Sequence, residues 1–336
     1  MDEVRLAIIG AGGISQTHAR AMELVKGARV TAVVDIIRSR AEALAEKLNA
    51  EHVYEDIDTA LEAGGFDAVD ICLPTYLHAP ATVAAAKRGY HVLCEKPMAM
   101  TLDQADSMTA AARENNIVLM IAHCRRFDNY WGAFRKAILD GVIGRPVLWR
   151  SMAARLGPHQ PWYLERDEGG GPLIDGAIHN YDFARAIFGE ARTVYAAGQQ
   201  FDLDNTAIDT GSTTVRFASG DVLVLSWSWA VPEKVTSSFQ DVLGPEGVLY
   251  LSQPPHAPKP EEVPPNHGYL VVQRKGGTFD YIFYEKNDMY AAEIQAFVDA
   301  VREGRPSPLD PEDTKRSLAI ATAVLESAAT RRLISL

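Results

Sequence analysis

An aspartate and a histidine four residues apart, Asp175 and His179, have the types and spacing to do chemistry in this chain. They follow three glycines, at 169–171, in a segment that predicts the opening of a helix, where positions four apart share one face. An imidazole titrates near neutral pH, which suits it to accept a proton. The same spacing also permits zinc ligation or a plain helix pair. No third ligand stands at a supporting spacing, so we expect no metal here.

Lys96 lies in the sequence Glu95-Lys96-Pro97, directly after an apolar run at residues 91–94 that predicts a strand. Open parallel sheets bind their ligands at the carboxyl ends of the strands. An ammonium group at that edge can hydrogen-bond an oxygen on which negative charge develops. A surface charge is the alternative, since a lysine at a strand end is often solvated.

A nucleotide-binding turn is indicated by four residues after the first predicted strand: Gly10, Gly12, Gly13 and Ile14. Glycines allow a tight turn and a close backbone approach to a pyrophosphate, and the start of the next helix favours its negative charge. Asp35 ends the second predicted strand, where a carboxylate accepts hydrogen bonds from ribose hydroxyls and repels the extra phosphate of NADP. NAD is therefore the expected cofactor. NADP is the less favoured alternative, which Arg38 or Arg40 could serve.

The elements that must position these residues alternate between strands and helices in the first part of the chain. Apolar runs predict strands at residues 4–9, 30–34, 68–73, 91–94 and 118–122. Helical spacing lies between them, so a parallel α/β sheet is predicted for a first domain of residues 1–122. Residues 123–336 predict an α+β domain, with mainly antiparallel strands joined by short turns and C-terminal helices that return toward the first domain.

The charge balance and the cysteine count limit the partners and the compartment. Asp and Glu number 44 against 33 for Lys and Arg, and the formal net charge of −11 repels the phosphates of nucleic acids and anionic lipids. The three cysteines form no disulfide or zinc-binding pattern. The first apolar run ends before Gly10, too short for a signal peptide core or a membrane span. We expect a cytoplasmic protein that binds neither nucleic acid nor membranes.

Several motifs follow one another along nearly the whole chain. They are the glycine turn, Asp67-Ala68-Val69-Asp70-Ile71-Cys72-Leu73-Pro74-Thr75 with His78, Gly89-Tyr90-His91-Val92-Leu93-Cys94-Glu95-Lys96-Pro97, Arg125-Arg126-Phe127, Gly169-Gly170-Gly171-Pro172-Leu173-Ile174-Asp175 with His179, and Tyr290-Ala291-Ala292-Glu293 with Phe297. Together they resemble the glucose-fructose oxidoreductase, inositol dehydrogenase and rhizopine catabolism (Gfo/Idh/MocA) family. The resemblance implies a doubly wound Rossmann domain and a C-terminal domain whose large open sheet joins subunits into homodimers or homotetramers.

The resemblance also implies an activity, the NAD-dependent oxidation of a secondary alcohol of a sugar, sugar derivative or cyclitol, or the reverse reduction. It implies that Lys96 binds the reacting oxygen, that His179 accepts the proton in oxidation, and that Asp175 supports His179 and binds a substrate hydroxyl. The further cofactor contacts that it implies are Leu73, Pro74, Thr75, His78, Glu95 and Lys96. The candidate substrate contacts are Arg125, His159, Trp162 and Asp182, each with a surface or structural role as the alternative.

Two other functions stay open at this point. A redox-cycling lyase or glycosidase would oxidise a glycoside transiently and regenerate NAD, using the same residues. A non-catalytic regulator that senses the cofactor would share the fold, although the intact Lys, Asp and His argue against it. Residues 253–268 hold six of the 18 prolines and predict a surface loop, with a lid or an intersubunit arm as the alternative.

Overall fold

The structure is a computed structural model that describes residues 2–336. Within that range the chain divides into two compact units. The first contains the chain up to Cys124 together with Asp288–Leu318, and the second contains Arg125–Asn287 together with Ala319–Leu336. Among residues 2–336, no helix combines the length and the apolar composition that crossing a membrane requires.

The first unit is built on a parallel sheet of short apolar strands. The strands are β1 (Val4–Ile9), β2 (Ala28–Val34), β3 (His52–Tyr54), β4 (Ala68–Ile71), β5 (His91–Glu95) and β6 (Leu119–Ala122). The helices between them are α1 (Gly13–Met22), α2 (Arg38–Leu48), α3 (Ile57–Ala63), α4 (His78–Lys87) and α5 (Leu102–Glu114). The strand order is β3-β2-β1-β4-β5-β6, the doubly wound arrangement of a Rossmann fold.

The direction of winding reverses at β1, which pairs in parallel with β2 on one side and with β4 on the other. The connections that leave β1 and β4 therefore start side by side at the carboxyl edge of the sheet. In doubly wound sheets this reversal point is where ligands bind. The glycine turn after β1 and the Leu73–Thr75 segment after β4 both begin there.

The second unit contains a larger, mixed sheet with helices packed on one face. Its helices and strands are α6 (Asn129–Leu139), β7 (Leu148–Ala154), α7 (Ile178–Phe188), β8 (Ala191–Gln199), β9 (Thr210–Phe217), β10 (Val222–Ser228), β11 (Ser237–Gly244), β12 (Gly247–Tyr250), β13 (His267–Arg274) and β14 (Phe279–Glu285). The strand order is β14-β13-β12-β11-β7-β10-β9-β8-β15, where β15 is Ile334–Ser335. Its core joins Trp149 and Val242 of the sheet to Phe134 and Phe183 of α6 and α7.

Two C-terminal helices complete the chain, α8 (Met289–Glu303) and α9 (Pro311–Thr330). Asp288 caps α8 by accepting hydrogen bonds from the amides of Tyr290 and Ala291. The side chain of Gln295 accepts from the Lys26 amide and donates to the Lys26 carbonyl, which fixes α8 beside the loop after α1. This places Tyr290 next to His18 of α1, with ring centroids 5.9 Å apart.

The fold class expected from the sequence is confirmed, including a second sheet that is mainly antiparallel. Within that sheet β7 and β10 pair in parallel, and the long segment containing α7 separates them in the chain. Two details differ from the expectation. Sequence periodicity missed β3 and α3, which are too short to give a clear pattern, and also β13 and β14. The predicted loop at 253–268 is irregular up to Asn266, and its last two residues begin β13.

Candidate functional site

The glycine turn connects β1 to α1 and needs glycine at its first position for steric reasons. Gly10 has a φ of +99°, and a Cβ there would lie 2.6 Å from the carbonyl oxygen of Cys72. Gly12 and Gly13 are different, because within residues 2–336 nothing beyond the local chain lies within 4 Å of a Cβ built on either. Gly12 also provides no side-chain cap for α1. The helix start therefore offers amide donors and open room, which suits an anionic group.

Asp35 follows β2, and its carboxylate is hydrogen-bonded to the glycine turn. Its Oδ2 accepts a hydrogen bond of 2.7 Å from the Ala11 amide, and its Oδ1 accepts one of 2.8 Å from the Ile37 amide. The nearby Arg38 is occupied by two carboxylates, since it donates to Glu42 at 2.8 Å and to Glu55 at 3.0 Å. The carboxylate is thus fixed in place, and the closest predicted phosphate ligand is already paired.

An apolar cavity of about 260 Å³ lies beside Asp35. Its walls come from the ends of β1 and β2, from α3 and from α4, and its lining residues include Ile9, Val34, Leu73, Leu77, Pro80 and Ala84. Ile36 lines the same cavity and is 85% exposed. A flat apolar ligand would cover it.

The connection after β4 is held by His78, the first residue of α4. Its Nδ1 lies 2.7 Å from the Pro97 carbonyl oxygen and its Nε2 lies 2.8 Å from the Leu73 carbonyl oxygen. Both ring nitrogens thus lie within hydrogen-bond distance of a main-chain carbonyl oxygen. His78 thereby ties the segment after β4 to the segment after β5. Between them, the hydroxyl of Thr75 is buried with no hydrogen-bond partner among the described residues, which marks a place for an external acceptor or donor.

Lys96 directly follows β5 and is partly exposed, while its neighbour Glu95 is buried. The main-chain amide of Lys96 donates to Oε2 of Glu95 at 3.0 Å, and the Lys96–Pro97 peptide bond is cis. Burial alone would raise the pKa of Glu95, but a hydrogen bond from His18 and the charges of His18 and Lys96 hold it below its usual value. Glu95 is therefore negatively charged, and its carboxylate is hydrogen-bonded to the main chain of Lys96.

Asp175 and His179 lie in the second unit, in two successive helical segments. Residues Pro172–Gly176 form a single π-helical turn that carries Asp175, and His179 is the second residue of α7. The turn starts at Gly171, which has a φ of +78° and where a Cβ would lie 2.5 Å from the Ile208 carbonyl oxygen. Asp175 is buried and His179 is half-buried. The glycines of the sequence motif thus build the turn that presents this pair.

Arg125 and Asp182 are both engaged by neighbours within the second unit. Arg125 donates to Asn180 Oδ1 at 3.2 Å, and its guanidinium lies 4.2 Å from the centre of the Trp131 ring. Asp182 is buried and receives a bidentate pair of bonds from Arg126, at 2.7 and 2.9 Å. Both contacts join the turn before α6 to α7, next to His179.

His159 and Trp162 lie in the segment after β7. His159 is exposed at the rim of a cavity of about 310 Å³ that Trp229 and Asn205 also line. Trp162 stacks on Tyr163, with ring centroids 3.7 Å apart.

Within each unit the predicted residues fall into local groups. The first unit brings together the glycine turn, Asp35 and the segments that carry Thr75, His78 and Lys96. The second unit holds Asp175, His179, Arg125, His159, Trp162 and Asp182. Sequence analysis assigned no role to the residues that hold these groups, namely His18, Arg126, Trp131 and Asn180, nor to Ile36 at the cavity. A sequence signal existed for Arg126, which lies in the Arg125-Arg126-Phe127 motif, and for Ile36, an apolar residue placed directly after the strand-end acid.

Comparison with known proteins gives two matching family models that follow one another along the chain. The first, described as an oxidoreductase family with an NAD-binding Rossmann fold (GFO_IDH_MocA), matches residues 4–123. The second, the GFO/IDH/MocA C-terminal domain, matches residues 131–250.

Relatives of known name match over nearly the full length. The myo-inositol 2-dehydrogenase of Thermotoga maritima is 28% identical, over 99% of this chain and 98% of its own. The 1,5-anhydro-D-fructose reductase of Ensifer adhaerens is 31% identical, over 97% of this chain and 96% of its own. Among solved structures, an oxidoreductase from Agrobacterium radiobacter in complex with NAD+, L-tartaric acid and magnesium has a TM-score of 0.83 at 23% identity, covering 99% and 98% of the two chains, and shares the fold.

Proposed function

This chain belongs to the GFO/IDH/MocA oxidoreductase family, and from that membership we infer that it is an NAD-dependent dehydrogenase or reductase acting on a CH–OH group. We propose that the reacting group is a secondary alcohol, or the matching ketone, of a sugar, sugar derivative or cyclitol. The observation that carries this proposal is the carboxyl edge of the sheet in the first unit, whose features correspond to the parts of a dinucleotide. There a glycine turn with open room, a fixed carboxylate and an apolar cavity follow one another at the reversal point of the sheet.

The residues of this edge fit NAD. We assign the amides at the start of α1, including Ile14, to the pyrophosphate, Asp35 to the adenosine ribose hydroxyls, and the cavity beside Ile36 to the adenine. Leu73, Pro74, Thr75 and His78 are assigned to the nicotinamide end, where the buried Thr75 hydroxyl needs a partner. When bound, the nicotinamide supplies the acceptor or donor of the hydride. The pairing of Arg38 with Glu42 and Glu55 supports NAD over NADP, because two carboxylates already hold this guanidinium.

The chemistry needs a group that takes the hydroxyl proton and a positive group that stabilises the developing alkoxide. We assign the second task to the Lys96 ammonium, which stands at the carboxyl end of β5. We assign the proton transfer to His179, because an imidazole can change its charge near neutral pH. Asp175 is assigned to a substrate hydroxyl and to the orientation of His179. It precedes His179 by about one helical turn, on the turn that Gly171 makes possible.

Arg125, His159 and Trp162 are proposed substrate contacts that would set specificity. Arg125 is stacked on Trp131 and bonded to Asn180, so its guanidinium is held in a fixed position. For Asp182 we propose an indirect role. Its two bonds to Arg126 anchor α7, and with it His179, instead of binding a hydroxyl.

The substrate class is supported by the names of two full-length relatives, one acting on a cyclitol and one on an anhydro sugar. Both are polyhydroxylated rings, which a site rich in charged and hydrogen-bonding side chains can bind.

Three substitutions test the assignments. Lys96→Gln and His179→Gln should each lower kcat about 100-fold or more, because each removes a group that acts on the reacting oxygen or its proton. NADH binding, followed by fluorescence titration, should change little. Lys87→Gln is the matched control, since it removes an exposed lysine from the end of α4 in the same unit. Unchanged turnover in Lys96→Gln would remove Lys96 from the mechanism.

We also propose that the protein is a homodimer or homotetramer joined through the sheet of the second unit. The face of this sheet turned away from the helices presents Met152, Phe239 and Phe283, each 40–41% exposed, and Met152 and Phe239 are directly paired across β7 and β11. Light scattering coupled to size-exclusion chromatography should give a multiple of the 36.7 kDa chain mass, and a monomer at micromolar concentration would rule the proposal out. The cytoplasmic location stays a prediction.

A further inference from the structure

Three buried ionisable side chains contact one another near the carboxyl ends of β4 and β5, and the proposed mechanism assigns them no role. His18 of α1 is fully buried between Asp70 of β4 and Glu95 of β5. Its Nδ1 lies 2.8 Å from Asp70 Oδ2, and its Nε2 lies 3.2 Å from Glu95 Oε1. The three side chains come from three separate elements, so the fold has to bring them together. Burying three ionisable groups lowers the stability of the fold unless they pair, so their presence together calls for an explanation.

The geometry determines the charge of His18. Each ring nitrogen faces a carboxylate oxygen, and a carboxylate accepts hydrogen bonds, so both nitrogens donate and the ring is an imidazolium. Burial alone would lower the pKa of His18, but Asp70 raises it well above the usual value. The other groups that face the ring are Cys72 at the end of β4, with Sγ 3.7 Å from Nδ1, and Tyr290 of α8. Burial raises the pKa of Cys72 to about 12 and also raises the pKa of Tyr290, so both are neutral near pH 7.

His18, Asp70 and Cys72 also have the composition of a metal site, and their ligand atoms lie within 4.8 Å of one another. The 2.8 Å separation of His18 and Asp70 is that of a direct hydrogen bond. Two ligands of one tetrahedral zinc ion stand roughly 3.3 Å apart, from zinc–ligand distances of about 2.0–2.1 Å. The arrangement is therefore a proton-bearing network and not a metal site.

The network ends at the proposed catalytic lysine. Glu95 binds His18 with Oε1 and the main-chain amide of Lys96 with Oε2, so one carboxylate links the buried imidazolium to the backbone of Lys96. On the other side of Lys96, the Pro97 carbonyl is bound by His78. The backbone that carries Lys96 is thus held on both sides by a histidine, through Glu95 on one side and directly on the other.

We propose that His18 is a positioning residue for the reaction: held between Asp70 and Glu95, it orients the Glu95 carboxylate, which fixes the main chain of Lys96 and places a negative charge next to the lysine ammonium. This proposal rests on the proposed function, because it assigns His18 an effect on the step in which Lys96 takes part. His18 touches neither substrate nor cofactor in this scheme, so its effect reaches the reaction only through Glu95 and Lys96.

Two variants test the network with little change in shape. In Glu95→Gln the amide oxygen can still accept from the Lys96 amide, and the NH2 group can donate to a neutral His18, so the hydrogen bonds survive while the charge is lost. In His18→Asn only one of the two carboxylates keeps a donor. We expect both variants to bind NADH within about threefold of wild type and to lose 10- to 100-fold in kcat with a much smaller change in KM. In Glu95→Gln the alkaline limb of the kcat profile should also move to lower pH, because the Lys96 ammonium loses an adjacent anion.

The matched control is His91→Asn at the opposite, amino-terminal end of β5. His91 accepts a hydrogen bond from the Val118 amide at 2.9 Å and has no link to Glu95, so this substitution should leave kcat within twofold of wild type. A readout that needs no turnover is the 15N NMR signal of the His18 ring in the cofactor-free protein, which should be that of an imidazolium at pH 7.5.

Each outcome bears on the proposal separately from the proposed function. Wild-type turnover with NAD establishes the function. If the wild type turns over while His18→Asn and Glu95→Gln keep its kcat, or if the His18 ring is neutral at pH 7.5, the positioning role is wrong and the function stands. If neither variant folds, the NMR signal of the wild type still decides the charge state on which the role depends. A wild-type protein without turnover overturns both.

Discussion

At the scale of single residues, Asp35 is bound by a main-chain amide on each carboxylate oxygen, from Ala11 and from Ile37. Each oxygen has a second lone pair, so both can accept a ribose hydroxyl without losing these bonds. Under the proposed assignment the carboxylate serves two purposes, closing the glycine turn and selecting a ribose over a ribose phosphate. Arg38 cannot easily reverse that selection, because Glu42 and Glu55 hold it.

The first prediction concerns this choice of cofactor. Asp35→Ala should weaken NAD binding about 10- to 100-fold, the loss expected for hydrogen bonds to a charged group, and should weaken NADP binding much less because a repulsive charge is also removed. The ratio of kcat/KM with NAD to that with NADP measures this directly. Arg38→Ala is the control and should leave the ratio within about threefold. A ratio that does not fall in Asp35→Ala contradicts the assigned role of this carboxylate.

At the residue scale, the sequence identified candidate site residues and missed the residues that hold them in place. Lys96 and Asp35 became candidates because each stands at the end of an apolar run, and Asp175 and His179 because of their spacing after glycines. His18 could not be identified in this way, because nothing in a sequence shows that a polar residue on a helix meets Asp70 and Glu95 from two strands. The roles of Arg126 and Asn180 were missed for the same reason, since their partners lie more than 25 residues away.

At the scale of elements, the connection from β1 to α1 combines two different uses of glycine. A side chain at Gly10 is excluded for two reasons. Its Cβ would lie 2.6 Å from the main-chain oxygen of Cys72, directly after β4, and its φ is +99°. Gly12 has a φ of −84°, which any residue adopts, and open space around its Cβ position. Glycine at position 10 is required by the fold, and glycine at position 12 is required by the ligand that the turn is proposed to bind.

The second prediction separates these two roles. Gly10→Ala should destabilise the protein by about 2 kcal/mol or more, because the new methyl group meets main-chain atoms in a left-handed conformation. Gly12→Ala should leave the free energy of unfolding within about 0.5 kcal/mol and still weaken NAD binding, since the methyl group occupies the room assigned to the pyrophosphate. Urea unfolding and NADH titration of both variants provide the comparison. If Gly12→Ala binds NADH as tightly as wild type, the pyrophosphate does not lie against this turn.

Regular elements were predictable where the pattern was long. Helical spacing in the sequence predicts helices at residues 38–48, 178–188 and 289–303, and α2, α7 and α8 have these bounds. The predicted strands of the first sheet differ from the observed ones by a residue or two at their ends. The parallel pairing of β7 with β10 was not predictable from local patterns, because it depends on where the chain returns after α7. β14 was missed because its half-exposed face also carries aromatic side chains, so the sequence lacks a clear alternation of apolar and polar residues.

At the scale of the whole molecule, each unit has its own hydrophobic core. His18 makes the stability of the cofactor-free protein depend on pH. Its pKa is well above 6.5 in the folded state because Asp70 and its neighbours outweigh burial. A group of this kind stabilises the fold fully below its unfolded pKa, and its contribution is lost as the pH rises through the folded pKa.

The third prediction follows from that sign. The difference in free energy of unfolding between wild type and His18→Asn should shrink as the pH is raised from about 6 to about 10. For His91 burial lowers the pKa, so the difference between wild type and His91→Asn should instead grow as the pH rises through 6.5. Denaturant unfolding at several pH values measures both. A difference for His18→Asn that grows with pH would falsify the imidazolium assignment.

The central claim is that this chain transfers hydride between NAD and a secondary alcohol of a sugar, sugar derivative or cyclitol. The most direct measurement is NADH formation by the purified protein across a panel of cyclitols, aldoses, anhydro sugars, sugar acids and glycosides, run in parallel with NADP. We predict saturable NADH formation with at least one cyclic polyol, much weaker activity with NADP, and loss of the activity in Lys96→Gln. Tight NADH binding without turnover on any member of the panel, in either direction, would contradict the claim.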